Sequence, residues 1–144
     1  MNKIFDFENI LKFITLAYDK LSEPYHNSFK NILSPLQFYT LCVIKFKNSI
    51  TMTHLSESMK MPKQNMTKIV DKLIELGFVI RKRDVNDKRI TNIYITEEGN
   101  RFLIDNAKEN SKRVNDSIIS LGEDDTNEFY DSIVKINKIL SKLP

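Results

Sequence analysis

The sequence has 144 residues, 41% of them hydrophobic, which is enough for one compact domain with a core and leaves no room for a second catalytic domain of ordinary size. Its 22 lysines and arginines slightly outnumber its 19 aspartates and glutamates, and the formal net charge at pH 7 is +3. The overall charge is therefore only a weak indication of a polyanionic partner.

The first predicted helix has an apolar residue at every third or fourth position, which makes one of its sides apolar. These residues are Ile4, Phe7, Leu11, Ile14, Tyr18 and Leu21. Pro24 is expected to end this helix. The chain contains only three glycines and four prolines, and most of them stand at expected helix ends. We therefore expect a mainly helical architecture.

The next two helices are predicted from their capping residues. Ser34, Pro35 and Gln37 combine a serine N-cap, a proline at the first helical position and a glutamine at the capping-box position. The expected core face of this helix consists of Phe38, Leu41, Val43 and Ile44. Thr51 is expected to cap a short third helix over residues 51–59.

A tight turn at Lys60 and Met61 leads to a fourth predicted helix, from about Pro62 to Leu76, which Gly77 ends in a left-handed conformation. Its expected buried side consists of Met66, Ile69, Val70, Leu73 and Leu76. Two short β-type runs follow, at residues 78–82 and 92–96, with a polar segment between them. They predict a hairpin with a long charged tip.

The first of the last two predicted helices follows Thr96 and runs to about Leu121. After Gly122, the second begins at the acidic residues 123–125, where negative charge favours a helix N-terminus. The final helix repeats apolar residues at Phe129, Ile133, Ile136, Leu140 and Leu143. This stripe and the stripe of the first helix are too extensive to remain in water. We therefore expect the terminal helices to form a homodimer across a two-fold axis.

Positive charge is concentrated in residues 60–91, which contain nine basic and four acidic residues. This segment carries a net charge of +5, and because the whole chain carries +3, the remainder carries −2. Such a concentration suits a phosphate-binding surface, because each neutralised phosphate releases condensed counterions. A solvated basic surface with no ligand is the alternative.

Two short helices, a tight turn and a basic hairpin are the elements of a winged helix-turn-helix, whose second helix enters the major groove of DNA. With Met66 at the centre of the buried face, Gln64 and Lys68 point away from the core. Gln and Asn can pair with adenine, and Lys donates to guanine. The candidate DNA-binding residues of this helix are Lys63, Gln64, Asn65, Thr67, Lys68 and Lys72. A merely solvated face is the alternative, and the basic hairpin that follows argues against it.

Residues 61–99 resemble the recognition helix and wing of the MarR family of bacterial regulators, with the Asp-x-Arg signature at Asp87 and Arg89, followed by Thr96 and Gly99. The resemblance extends over nearly the whole chain. It implies a mainly α fold with a small β-hairpin wing, in which a winged helix-turn-helix lobe at about residues 30–97 adjoins long N- and C-terminal dimerisation helices at about 1–29 and 98–144.

In the wing of that family, an acidic residue orients an arginine towards the minor groove, so the resemblance assigns these roles to Asp87 and Arg89. Lys88 then stands at the tip, and Arg83 completes the set of candidate wing residues. The chain departs from the family pattern at two positions. Pro62 stands where many members have a serine cap, and His54 replaces the usual acidic residue.

Four residues are candidates for an effector crevice between the dimer helices and the DNA-binding lobe: Tyr18, Tyr25, His26 and Phe38. A role in the core is the alternative for the aromatic ones. Because the chain has two histidines and one cysteine, a closed zinc site is not expected, and we expect no cofactor.

Cys42 is the single cysteine, which excludes an internal disulfide, and its apolar helical setting favours a packing role over redox sensing. The N-terminal residues have neither a basic leader region nor a long apolar run, and no stretch approaches the roughly 20 apolar residues that cross a bilayer. We therefore expect a cytoplasmic protein without a membrane partner.

The expected function is that of a sequence-specific DNA-binding transcriptional regulator, a homodimeric repressor of a palindromic operator that a small-molecule effector releases. The alternative is a winged-helix module that acts through protein contacts without specific DNA binding. An enzyme is not expected, because the sequence has no phosphate-cradling glycine loop and neither a G-x-S-x-G nor an H-E-x-x-H motif.

Overall fold

The computed structural model describes residues 6–21 and 32–143, except for the side chains of Glu109 and Arg113. The elements are α1 (Phe7–Leu21), α2 (Pro35–Lys47), β1 (Ile50–Thr51), α3 (Met52–Ser58), α4 (Lys63–Glu75), β2 (Val79–Arg83), β3 (Thr91–Ile95), α5 (Glu97–Ile119) and α6 (Glu123–Leu140). The predicted mainly helical architecture is confirmed. Ile4 and Pro24, which entered the prediction of the first helix, lie outside the described residues. Within the described ranges, no helix is long and apolar enough to span a membrane.

The predicted helix caps form as hydrogen bonds. The Ser34 hydroxyl accepts from the backbone N–H of Gln37 at 3.3 Å, and the Gln37 side chain accepts from the backbone N–H of Ser34 at 2.8 Å. At α3, the Thr51 hydroxyl accepts from the backbone N–H of His54 at 3.2 Å. These bonds satisfy amide groups that have no partner inside the helix, and they fix where α2 and α3 begin.

Two residues with a left-handed backbone conformation lie in the turn before α4 and just after the end of α4. Lys60, with φ 48°, lies in the tight turn, and Gly77, with φ 75°, follows the end of the helix. The backbone N–H of Phe78 donates to the carbonyl of Leu73 at 2.9 Å, which closes the last turn. Both the turn and the glycine at the helix end were predicted, and both are confirmed.

The sheet has three antiparallel strands in the order β1-β3-β2, and the sequence predicted only the hairpin. β1 was missed because it has two residues, too few for a periodic pattern, and it pairs Ile50 with Ile93. The two hairpin strands each lie one residue closer to the tip than expected. Phe78 is not part of β2, because its backbone N–H closes the last turn of α4. Thr96 is not part of β3, because its side chain caps α5 by accepting from the backbone N–H of Gly99.

The core of the lobe lies between α2, α3, α4 and the sheet. α4 contributes Met66, Val70 and Leu73 to this core, all fully buried, and its Ile69 and Leu76 pack against the edge of the core. The other fully buried apolar side chains include Leu33, Leu41, Ile44, Leu55, Val79 and Ile93. Full burial of one such side chain contributes about 1.5–3 kcal/mol, so α4 can hardly rotate about its axis without losing several kcal/mol.

A close junction attaches α5 to the lobe. The Thr96 hydroxyl donates to the carbonyl of Gly77 at 2.6 Å, and a Cβ atom on Gly99 would overlap the carbonyl oxygen of Phe78. The ring of Phe102, one turn along α5, stacks on the ring of Phe78 with centroids 4.6 Å apart. The side chain of Lys45 adds a hydrogen bond from α2 to Asn100 at 2.7 Å.

The terminal helices keep much of their apolar surface exposed in the single chain. No described residue of α1 or α6 is fully buried. In the predicted stripe of the last helix, Phe129, Ile133 and Ile136 are half-buried and Leu140 is exposed, and Leu143, which lies beyond the end of α6, is also exposed. In α1, Phe7, Leu11 and Ile14 are exposed.

We predict that Gly99→Ala destabilises the folded protein by about 2–3 kcal/mol, because the added methyl group collides with rigid backbone rather than with a flexible side chain. Urea unfolding followed by circular dichroism at one fixed protein concentration measures this loss. Ser111→Ala, at an exposed position of the same helix, is the matched control and should change the unfolding free energy by less than about 0.5 kcal/mol. Equal stability of Gly99→Ala and the wild type would contradict the close approach of Gly99 to the Phe78 carbonyl.

Candidate nucleic-acid interface

The inner face of α4 is apolar and packs in the core, and its outer face is polar. Lys63, Gln64, Asn65 and Lys68 are exposed, as the helical period predicted. The two flanking candidates are half-exposed and have partners within the helix. The Thr67 hydroxyl donates to the Lys63 carbonyl at 2.8 Å, and the Lys72 ammonium lies 3.0 Å from the Glu75 carboxylate.

An ion pair connects α4 to the hairpin. The guanidinium of Arg81, on β2, lies 2.8 Å from the carboxylate of Asp71, on α4. The pair is partly exposed, so its energy is small, and its main consequence is geometric. It holds the base of the hairpin beside the outer face of α4. Between the two elements runs a groove of about 610 Å³ that Lys63, Thr67 and Arg89 help to line.

The hairpin tip is organised by Asp84, which the sequence analysis missed. Its carboxylate accepts the backbone N–H groups of Asn86 at 2.9 Å and Asp87 at 3.1 Å, and the Asn92 side chain at 3.4 Å. These donors, with the Asp87 amide first, lower the pKa of Asp84 below its ordinary value of 3.8. An aspartate at the start of a polar run is a turn signal, and it could have identified this residue.

The four predicted wing residues, Arg83, Asp87, Lys88 and Arg89, are all exposed. The Asp87 carboxylate accepts the backbone N–H of Arg89 at 2.9 Å, and among the described residues no salt bridge joins it to the Arg89 guanidinium. In the free chain, Asp87 therefore fixes the backbone from which the arginine projects. That it aims the arginine into a groove stays a prediction.

The predicted effector crevice is described only in part. Tyr18 lies exposed on α1, whereas Phe38 is half-buried on α2, with its ring edge-on to Phe102 at a centroid distance of 6.5 Å. Tyr25 and His26 lie outside the described residues. The crevice stays a prediction.

Cys42 lies partly buried beside the core, and burial raises the pKa of its thiol to about 11, an effect that nearby Lys45 reduces only in part. A thiol that stays protonated at neutral pH is a poor nucleophile, which favours the packing role. Nor do the described residues contain a cluster of three or more His, Cys, Asp or Glu side chains that could hold a metal ion.

Residues 33–91, which include every element from α2 through the hairpin tip, match the model of the MarR family. The predicted resemblance to this family is thus confirmed over the matched residues, and the winged helix-turn-helix fold is confirmed as well.

Two relatives in Bacillus subtilis (strain 168) are similar to this chain over 96 residues. The HTH-type transcriptional regulator MhqR is 27% identical over 67% of this chain and 66% of its own length. The HTH-type transcriptional regulator YkoM is 25% identical over 66% of this chain and 62% of its own length. The matched segment therefore spans less than two thirds of either relative. The crystal structure of the transcriptional regulator BldR from Sulfolobus solfataricus has a TM-score of 0.67 and 27% identity, and the match covers 99% of this chain and 100% of that chain.

We predict that Asp84→Ala loosens the hairpin tip, because two backbone N–H groups lose their acceptor. Amide hydrogen exchange by NMR at pH 6 should be faster at Asn86 and Asp87 than in the wild type. Asp105→Ala, an exposed aspartate on α5, should leave these rates unchanged.

The same bonds predict a pH dependence. Since the pKa of Asp84 is lowered on folding, the carboxylate stabilises the tip fully above about pH 4, and this contribution is lost as the pH falls through the lowered pKa. An NMR titration that placed the pKa of Asp84 at or above 3.8 would contradict this account.

Proposed function

We propose that this chain is a sequence-specific DNA-binding transcriptional regulator that binds duplex DNA as a homodimer. One observation carries the proposal: the exposed polar face of α4 and the basic hairpin lie side by side, joined by the ion pair of Asp71 with Arg81. This is the arrangement of a recognition helix and a wing. The names of its relatives, all transcriptional regulators, support it.

The centre of the exposed face of α4 reads the base pairs. Gln64 and Lys68 lie one helical turn apart, and both side chains can reach base edges when the helix enters the major groove. Asn65 and Lys63 assist from the same end of the helix. Thr67 and Lys72 flank this face and are better placed for the DNA backbone, because each is half-exposed at its border.

The wing anchors the protein to the neighbouring minor groove. Arg83, Lys88 and Arg89 supply positive charge at the tip, and the minor groove offers little sequence information beyond the difference between A·T and G·C pairs. The Asp87 carboxylate accepts the backbone N–H of Arg89 and thereby fixes the backbone position from which the Arg89 side chain projects. The wing therefore contributes affinity more than sequence preference.

The proposed dimer forms through the terminal helices, while residues of about 30–97 form the DNA-binding lobe. The exposed apolar residues of α1 and α6 support this division, because such extensive apolar surface is seldom left in water. A two-fold dimer presents two copies of α4, which implies a palindromic site with half-sites about one helical turn apart.

A small organic effector would release the DNA if it favoured a different spacing of the two recognition helices. Tyr18 and Phe38 are the described candidates for its site, at the exposed side of α1 and the border of the core. The regulator would then act as a repressor. A winged-helix module that works only through protein contacts is the alternative, and it leaves the charge of the hairpin beside α4 without a role.

We predict that Gln64→Ala and Lys68→Ala each lose about 1–3 kcal/mol of binding free energy on the cognate site and relax the preference at particular base pairs. Lys88→Ala and Arg89→Ala should instead weaken cognate and scrambled duplexes together, and each should lower the salt slope by about 0.9 for every phosphate that the variant no longer neutralises. Titrations of both duplexes at several salt concentrations separate the two effects.

Lys108→Ala, at an exposed lysine on α5 outside the proposed DNA-binding lobe, controls for the loss of one positive charge and should change neither quantity appreciably. If Lys68→Ala weakened both duplexes equally while Arg89→Ala weakened only the cognate one, the roles proposed for helix and wing would be reversed.

A further inference from the structure

His54 lies on the exposed side of α3, on the border between two grooves of the DNA-binding lobe. On one side is the groove of about 610 Å³ between α4 and the hairpin, which His54 lines together with Lys63 and Arg89. On the other side is a smaller groove of about 410 Å³, which it lines with Lys47 and Glu57. The imidazole thus faces the same surface as the recognition helix and the wing.

The larger groove is strongly cationic. Lys63, Arg81 and Arg89 line it, and the described residues that line it include no carboxylate. Arg81 is paired with Asp71, whereas no salt bridge within the described ranges involves Lys63 or Arg89. The rest of the lining consists of threonines, whose hydroxyls can donate, His54 and the apolar residues Met52, Ile90 and Ile93. Ammonium, guanidinium and hydroxyl groups are the donors that proteins use for phosphate oxygens.

We propose that His54, Lys63 and Arg89 form a subsite for a backbone phosphate of duplex DNA, and that His54 takes up a proton when the phosphate binds. The inference rests on the proposed function, since it needs DNA on this surface. It adds a contact from α3 to those of α4 and the wing, and it makes DNA affinity depend on pH.

The sign of this dependence follows from the charges around the imidazole. Histidine changes charge between about pH 5 and pH 8. In the free protein, the charged groups that share the two grooves with it are Lys47, Lys63, Arg81, Arg89 and Glu57. A bound phosphate adds negative charge and so favours the imidazolium. The complex therefore binds more protons than the free protein, and affinity rises as the pH falls.

The test uses a fluorescein-labelled duplex of random sequence, because phosphate contacts do not depend on the operator. Wild-type affinity, measured by fluorescence anisotropy, should rise about five- to tenfold between pH 8 and pH 6, since the uptake of one proton allows at most tenfold per pH unit. The salt slope should also be steeper at pH 6, by about 0.9 for one further phosphate contact.

Three variants make the test specific. His54→Gln should bind at both pH values as weakly as the wild type does at pH 8, and His54→Arg should bind at both as tightly as the wild type does at pH 6. His26→Gln, which removes the other histidine, should keep the wild-type pH dependence. The cap of α3 uses only the backbone N–H of His54, so these side-chain changes leave it in place, and circular dichroism checks that they fold.

A pH dependence that persisted in His54→Gln, or that disappeared in His26→Gln, would overturn the inference and leave the proposed function standing. If the wild type bound no duplex at low salt at either pH, the proposed function would fail and the inference with it.

Discussion

The arrangement of the lobe depends on how α4 packs against its core. Met66, Val70 and Leu73 are fully buried along one side of this helix, and that fixes its rotation about its own axis. Because successive residues differ by about 100° around a helix, the same packing decides that Gln64 and Lys68 face outward. The polar face thus follows from the apolar one, and a change of core packing would redirect the residues proposed to read DNA without altering any of them.

A second constraint connects this helix to the rest of the chain. Phe78 follows α4 directly, its carbonyl lies against Gly99, and its ring stacks on Phe102 of α5. A rotation of α5 would therefore act on the end of α4 through backbone and aromatic contacts rather than through a flexible linker. In the proposed dimer, where α5 continues into the terminal helices, this junction would transmit a change of subunit packing to the spacing of the two recognition helices.

Local signals predicted the helices well, because caps and apolar periods depend on neighbouring residues, as Gly77 at the end of α4 illustrates. β1 was not predicted because it forms by pairing Ile50 with Ile93 across the sheet, and a local sequence pattern does not contain a pairing between residues so far apart. In the candidate site, the exposed face of α4 followed from the helical period. The tip did not, because the family signature at Asp87 and Arg89 does not include Asp84, whose carboxylate holds the turn.

We propose that the outer face of α4 reads base pairs in a two-fold symmetric dimer. Selection of bound duplexes from a pool of random sequence tests it most directly, when it is carried out with the wild type and with a Gln64→Ala, Lys68→Ala double variant. We expect the wild type to enrich a palindrome with half-sites about one helical turn apart, and the double variant to bind duplex DNA but to enrich no such motif. Enrichment of the same palindrome by the double variant, or of no motif by the wild type, would contradict it.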